Sequence, residues 1–286
     1  MTKNIDIEGL RSIADNYELF YIDLWGVVHN GITLNEKAII VLNELLKMKK
    51  DFVLLTNAPR PIEPVKIFLE KMGMSKEIRE HVFTSGEAAL NYLKKFYSLE
   101  KFFHIGPPRD FDLFYDFKNN KSKDLDNSKY LLCTGLFDDH DTDLNFYKEL
   151  LEKQISKKMI CTNPDLIVDK GDKRELCAGS VAMVFEKMGG EVIYFGKPYP
   201  EVYNQSIDNK NKKILSILIA EEKTWYFYHF VFVVIYTKFD LVIFGFDSTV
   251  LKPILSDLGR CGGRFSRFGM IWSDLGWSVL ILSFLS

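Results

Sequence analysis

Cysteine and proline are scarce in this sequence, and neither sign of charge is in clear excess. Only 4 cysteines and 9 prolines occur among the 286 residues, and the cysteines lack the Cys-x-x-Cys spacing of a zinc or redox site. The 37 basic and 39 acidic residues give a net charge of −2, so no basic field indicates nucleic acid or an anionic membrane as a partner. A zinc knuckle, a disulfide scaffold and a nucleic-acid-binding protein are therefore disfavoured.

Long apolar segments are also missing. The densest apolar run, residues 225–236, has 12 residues, whereas a membrane-spanning helix needs about 20. Residues 1–12 contain no apolar stretch of the kind that a secretory signal requires. We therefore expect a cytoplasmic protein that has no membrane partner.

What the sequence does contain is an alternation of short apolar runs with helical patterns. Predicted strands are 18–22, 52–55, 82–84, 102–105, 130–133, 159–162 and 192–195. Predicted helices are 36–49 with Asn35 as N-cap, 62–72, one that ends at Leu93, 142–155 and 175–188. Strands that alternate with helices predict an α/β fold with a doubly wound parallel sheet.

The composition changes near residue 217. Only 12 of the charged residues lie in 217–286, which is a quarter of the chain, yet three of the four tryptophans are there. We therefore expect 218–286 to be an atypical, aromatic-rich extension.

Three polar residues stand at or just after predicted strand ends, where open α/β sheets bind their ligands. Asp23 ends the first strand, Thr56 follows the second, and Lys197 follows a later one. A carboxylate can attack phosphorus, while a hydroxyl and an ammonium bind the phosphoryl oxygens. Each residue alone is more often a turn or solvated side chain, so only the ordered set indicates a phosphate site.

The residues around these positions resemble a known family. Residues 20–31 (FYIDLWGVVHNG), 54–57 (LLTN) and 196–203 (GKPYPEVY) are similar to the first three motifs of haloacid dehalogenase-like phosphatases. Residues 162–165 (TNPD) and the segment 179–190 resemble the α/β cap of the class IIA, or NagD-like, group.

The resemblance covers about residues 15–210 and implies an inserted domain. Lys197 follows Thr56 by 141 positions, far more than a strand–helix loop needs. We predict a Rossmann-like core from 1–85 and 190–217, with an α/β cap at 86–189.

The resemblance also implies roles for single residues. Asp23 would be the nucleophile that forms an aspartyl-phosphate, and Lys197 would anchor both Asp23 and the phosphate. Thr56 would hold the phosphoryl oxygens, and Gly26 and Asn57 would contact the substrate.

Members of the family use Mg²⁺, which the resemblance places on the Asp23 carboxylate and the Trp25 carbonyl. Asn163 and Asp165 match a motif near the substrate. A structural turn before residues 166–168 is an equally good explanation of these two residues.

Two departures from the family pattern bear on catalysis. Trp25 stands where most members have a second aspartate as general acid and base, and an indole cannot transfer that proton. His29 is one substitute, although a lone loop histidine is more often structural. The fourth, acidic motif is missing after Ile217, and Glu221 and Glu222 are the only nearby carboxylates there.

Two functions therefore remain open from the sequence. The first is a Mg²⁺-dependent phosphatase of a small phosphorylated metabolite, slowed by the two departures. The second is a catalytically inactive relative, either a binding module or the product of a frameshifted or defective gene. The oligomeric state does not follow from the sequence.

Overall fold

The computed structural model describes residues 10, 14–170, 173–207, 212 and 214–218, and the backbone of four further strands in the last quarter of the chain. Glu221 and Glu222 lie outside the described residues.

The strands in chain order are β1 (Leu19–Asp23), β2 (Asp51–Thr56), β3 (Val82–Thr84), β4 (Phe102–Ile105), β5 (Tyr130–Cys133), β6 (Lys158–Cys161), β7 (Ile167–Lys170), β8 (Lys173–Leu176), β9 (Glu191–Tyr194), β10 (Ile214–Leu218), β11 (Phe232–Tyr236), β12 (Asp240–Gly245), β13 (Phe265–Trp272) and β14 (Ser278–Phe284). The helices are α1 (Glu36–Lys47), α2 (Ile62–Lys71), α3 (Lys76–Arg79), α4 (Ser85–Phe96), α5 (Leu144–Leu151), α6 (Ala178–Lys187) and α7 (Pro200–Ser206). These bounds confirm the predicted α/β alternation.

The chain folds as two compact units. The first contains residues 1–54 and 209–286, and the second contains residues 55–208. Strand β2 continues from the first unit into the second.

The first unit is built on the strand that carries Asp23. Strand β1 is almost wholly buried, with Leu19 and Phe20 fully inaccessible to solvent, and it pairs in parallel with β10. Helix α1 begins at the predicted cap, since the Asn35 side chain accepts hydrogen bonds from the backbone N–H groups of Lys37 and Ala38. Its buried residues are Leu42 and Leu45.

The sheet of this unit is parallel between β1 and β10, in agreement with the predicted parallel sheet, and it also includes strands β11 to β14, whose direction the sequence did not predict. Its order is β13-β14-β12-β11-β10-β1-β2, and the pairs from β10 to β13 are antiparallel. Strands β11 and β12 are separated by only three residues, too few for the crossover that parallel neighbours require. The prediction that 218–286 is an atypical extension stays a prediction.

The second unit contains a four-stranded parallel sheet of order β4-β5-β6-β9. Helices α5 and α6 pack together, and their buried side chains form one cluster with those of β5 and β6. Among the cluster's members are Leu131, Tyr147, Met159, Val181 and Phe185. The sheet includes Glu191–Tyr194, just past residue 189, and the predicted cap boundaries stay predictions.

One predicted helix, 175–188, begins too early. Residues Lys173–Leu176 instead form β8, which pairs antiparallel with β7, and α6 starts at Ala178. This strand pairing is the reason that residues 175 and 176 are extended. Gly179, in the first turn of α6, lies so close to Pro164 that an added Cβ would be 2.2 Å from the Pro164 carbonyl oxygen. The helix can therefore pack there only with glycine in its first turn.

No helix within the described part of the chain is long and apolar enough to cross a membrane.

Candidate active site

Asp23 lies at the end of β1 in the first unit, and a tight turn follows it. Gly26 has φ +78°, in the left-handed region that favours glycine. Its N–H donates to the His29 carbonyl at 2.8 Å, and the Val28 N–H donates to the Leu24 carbonyl at 2.9 Å. The turn holds the backbone next to Asp23 in a closed, hydrogen-bonded form.

Trp25, which stands where the sequence resemblance implies a second aspartate, is packed inside this turn. Its ring meets the His29 ring edge-on, with 5.4 Å between the centroids. Gly31 leaves room for the indole, because a Cβ there would be 2.7 Å from Trp25 Cη2. The indole is therefore part of the turn's packing.

His29 is held as a neutral imidazole. Its Nδ1 accepts a hydrogen bond from the Gly31 N–H at 3.0 Å, so its ring proton is on Nε2. Burial lowers the pKa of His29, and the nearby Asp23 carboxylate only partly offsets that effect. With its Nδ1 lone pair already used, His29 is poorly suited to replace the missing aspartate as a proton acceptor.

In the second unit, the end of β2 meets the third motif. The Lys197 ammonium donates to the Leu55 carbonyl at 3.1 Å, next to Thr56 in the chain. The Thr56 hydroxyl oxygen accepts from the Ala58 N–H at 3.3 Å. The Lys197 ammonium therefore contacts the residue that precedes Thr56, and an ammonium and a hydroxyl are groups that can bind phosphoryl oxygens.

Asn57 connects three separate segments of this unit. Its side-chain oxygen accepts the Lys197 backbone N–H at 2.7 Å. Its amide nitrogen donates to the Lys197 carbonyl at 3.1 Å and to the Asp165 carboxylate at 2.8 Å. The second motif, the third motif and the loop after β6 are therefore joined through one side chain.

Asn163 and Asp165 form a turn, and Asp165 also reaches this network. The Asn163 side chain accepts from the Asp165 N–H at 2.9 Å, and the Asp165 carbonyl accepts from the Gly179 N–H at 3.1 Å. The turn interpretation is therefore present in the structure, and the role near the substrate stays a prediction. The turn presents the Asp165 carboxylate to Asn57.

Gly196 allows the third motif to lie close to Pro164 and Asn57. The sequence alone did not identify Gly196 for this role. It has φ +122°, and an added Cβ would be 2.6 Å from Pro164 Cδ and 2.7 Å from the Asn57 side-chain oxygen. The one feature of the sequence that could have indicated this role is that a glycine immediately precedes Lys197.

Gly196→Ala should be clearly more destabilising than Gly189→Ala. Gly189 also has a left-handed φ, +97°, but a Cβ added there would have no atom within 4 Å, so its change isolates the backbone strain of about 1–3 kcal/mol. Overpacking should add a further cost of about 1–3 kcal/mol at Gly196. Urea unfolding of the two full-length variants measures the difference, and equal losses would contradict the close packing.

The structure brings Thr56, Asn57, Asp165 and Lys197 together within the second unit. Asp23, Trp25 and Gly26 lie together at the end of β1 in the first unit. The catalytic, substrate-binding and metal-binding roles assigned to all of these residues stay predictions.

The described residues offer few ligands for the implied Mg²⁺. They contain no group of three or more histidine, cysteine, aspartate and glutamate side chains that could hold a metal ion. The Asp23 carboxylate and the Trp25 carbonyl are the donors predicted from the sequence. Mg²⁺ is often bound by one or two carboxylates together with waters and substrate phosphates, so these donors fit a weak site.

Comparisons with known proteins give matches for the family and the fold. A family model of haloacid dehalogenase-like hydrolases matches residues 20–117. The crystal structure of a haloacid dehalogenase-like hydrolase from Brucella suis 1330 is 31% identical, covers 69% of this chain and 73% of its own, and superposes with a TM-score of 0.62.

Two further solved structures are similar. A 4-nitrophenylphosphatase from Thermotoga maritima is 26% identical, over 67% of this chain and 73% of its own, with a TM-score of 0.52. A structure named for NagD shares the fold at 24% identity, over 66% of this chain and 74% of its own, with a TM-score of 0.52. A comparison with curated proteins gives no match.

Proposed function

The chain belongs to the family of haloacid dehalogenase-like hydrolases, and from that membership we propose that it is a phosphatase of a small phosphorylated metabolite. The observation that carries the proposal is the contact of the Lys197 ammonium with the carbonyl beside Thr56. It supports a phosphoryl-binding function because it gathers a cation and a hydroxyl at a strand end. The name of the similar Thermotoga maritima protein, a 4-nitrophenylphosphatase, points to the same class of substrate.

The proposed reaction has two displacements at phosphorus. A carboxylate oxygen of Asp23 attacks the phosphoryl group, the ester P–O bond breaks, and the alcohol leaves after taking a proton from water. Water then attacks the aspartyl-phosphate, which releases inorganic phosphate and restores the Asp23 carboxylate. The Thr56 hydroxyl and the Lys197 ammonium hold the phosphoryl oxygens and stabilise their charge in both steps.

Asp23 and the Trp25 carbonyl would hold Mg²⁺, which would supply further neutralisation of the phosphoryl charge. Without the acidic fourth motif, the ion should bind weakly unless phosphate is present.

Calorimetry of the full-length protein with MgCl₂ should therefore detect no micromolar binding in the absence of phosphate. Addition of inorganic phosphate should strengthen the binding, because phosphate oxygens complete the coordination of the ion. Micromolar affinity for Mg²⁺ alone would contradict this expectation and would indicate a further carboxylate ligand, such as Glu221 or Glu222.

Release of inorganic phosphate from a panel of sugar phosphates, nucleoside monophosphates and 4-nitrophenyl phosphate tests the proposed function. We expect turnover that depends on Mg²⁺ and is fastest with one group of substrates. A folded protein that releases no phosphate with any substrate or divalent metal would instead be the catalytically inactive relative.

A further inference from the structure

The hydrogen bonds of Asn57 conflict with a direct role in phosphoryl binding. Lys197 donates its backbone N–H to one side-chain atom of Asn57, so that atom must be the amide oxygen. The amide nitrogen is then the atom that faces Asp165 and the Lys197 carbonyl. It has two hydrogens, and these two acceptors use both.

The acceptors that Asn57 satisfies come from distant parts of the chain. Asp165 is 108 positions away and Lys197 is 140 positions away. Gly196 packs against the same amide oxygen, so the side chain has little room to rotate toward a ligand. An amide whose oxygen and nitrogen are both hydrogen-bonded to protein groups holds those groups in place.

We propose that Asn57 is a positioning residue that fixes Lys197 relative to the Asp165 loop, and that its side chain does not bind the phosphoryl group. The inference rests on the proposed function and replaces the substrate contact predicted from the motif. The Asn57 amide hydrogen-bonds both the N–H and the C=O of Lys197. These two bonds fix the position of the Lys197 backbone and therefore of the Cα atom that carries its side chain. Asp165 orients the amide through its carboxylate.

Reversal of the Asn57–Asp165 pair tests this role. Asn57→Asp places a carboxylate opposite the Asp165 carboxylate and the Lys197 carbonyl, so like charges repel where a donor was. Displacement of the Lys197 backbone by about 1 Å should then lower kcat about 10²-fold. In the double variant Asn57→Asp/Asp165→Asn, the new asparagine donates to the new aspartate and the total charge equals that of the wild type, but a carboxylate at position 57 cannot donate to the Lys197 carbonyl. We therefore expect kcat to recover in part, by about 10-fold over Asn57→Asp.

The split between kcat and substrate affinity distinguishes positioning from direct binding. A positioning role predicts that the reversed pair recovers part of kcat and binds inorganic phosphate, measured by calorimetry, as the wild type does. If Asn57 is a phosphoryl ligand, its carboxylate replacement repels phosphate in the single and the double variant alike, KM stays high, and the inference is overturned. Asn91→Asp, the same change at an exposed site on α4, is the matched control.

Unfolding measurements keep this inference separate from the proposed function. The urea midpoint should fall in Asn57→Asp and recover in part in the double variant, whether or not the protein is an active phosphatase. An inactive wild type with a recovering midpoint would refute the phosphatase proposal and support the coupling. A midpoint that does not recover would refute the coupling, even in an active enzyme.

Discussion

Asp23→Asn should lower the rate of phosphate release by at least about 10³-fold, because a neutral amide cannot attack phosphorus as a carboxylate does. The change keeps the size and shape of a side chain at the end of a strand that is otherwise buried. We therefore expect a large loss of kcat with little loss of stability. Initial rates on the best substrate of the panel, together with a urea unfolding curve, measure both quantities.

The matched control for this prediction is Asp15→Asn. Asp15 lies in the short 3₁₀ helix just before β1 and is exposed, so the same chemical change there should leave turnover within about 2-fold, as is usual for surface substitutions. Quenching during turnover should also show a phosphoryl adduct in the wild type that is missing in Asp23→Asn. Turnover by Asp23→Asn at the wild-type rate would exclude the aspartyl-phosphate mechanism.

Local sequence patterns were sufficient for the elements that carry the motifs. The buried run before Asp23, the helix capped by Asn35 and the apolar run before Thr56 all appear in the structure with ends within two residues of those predicted. These elements could be predicted because the burial pattern and the cap of each one depend on residues that are neighbours in the sequence.

Elements decided by tertiary packing could not be predicted in the same way. Residues 175–188 have a helical pattern, yet their first two residues belong to β8, which pairs with β7. Backbone pairing with the strand that immediately precedes them overrides the helical propensity of these two residues. The three-residue connection between β11 and β12 likewise requires that pair to be antiparallel.

The network around Asn57 had no sequence signal at all. Its partners, Asp165 and Lys197, are recognisable only as members of two separate motifs, and nothing in the spacing says that one amide joins them. Gly196 shows the same limit, because Pro164 and Asn57 exclude a Cβ there in addition to the left-handed φ of the residue. The motifs identified the residues, and the structure indicated which of them act on one another.

Trp25→Asp should increase the rate of hydrolysis of alkyl phosphates. The tryptophan would then be a residue that limits the rate of the reaction. The leaving alcohol needs a proton in the first displacement, and water needs a base in the second. A positioned acid–base group typically contributes about 10²–10⁴-fold, and the indole supplies none. His29 does not compensate, because its Nδ1 already accepts the Gly31 N–H.

Loss of the indole has a structural effect that must be separated from this gain. Trp25 packs against His29 and Gly31, so its removal leaves a gap in the turn and should lower the stability of the fold. Trp25→Asn is the matched control, since it leaves the same gap but cannot transfer a proton. The gain from acid–base catalysis is therefore measured as the ratio of the rates of Trp25→Asp and Trp25→Asn.

We expect kcat of Trp25→Asp to exceed that of Trp25→Asn by about 10²-fold on a sugar phosphate, the lower end of the usual range for general acid–base catalysis. The ratio should be smaller on 4-nitrophenyl phosphate, whose good leaving group needs little protonation in the first step. A larger gain on the alkyl substrate would show that the aspartate acts as the acid that the wild type lacks. Equal rates for the two variants on both substrates would mean that proton transfer does not limit turnover and that Trp25 is no impediment to it.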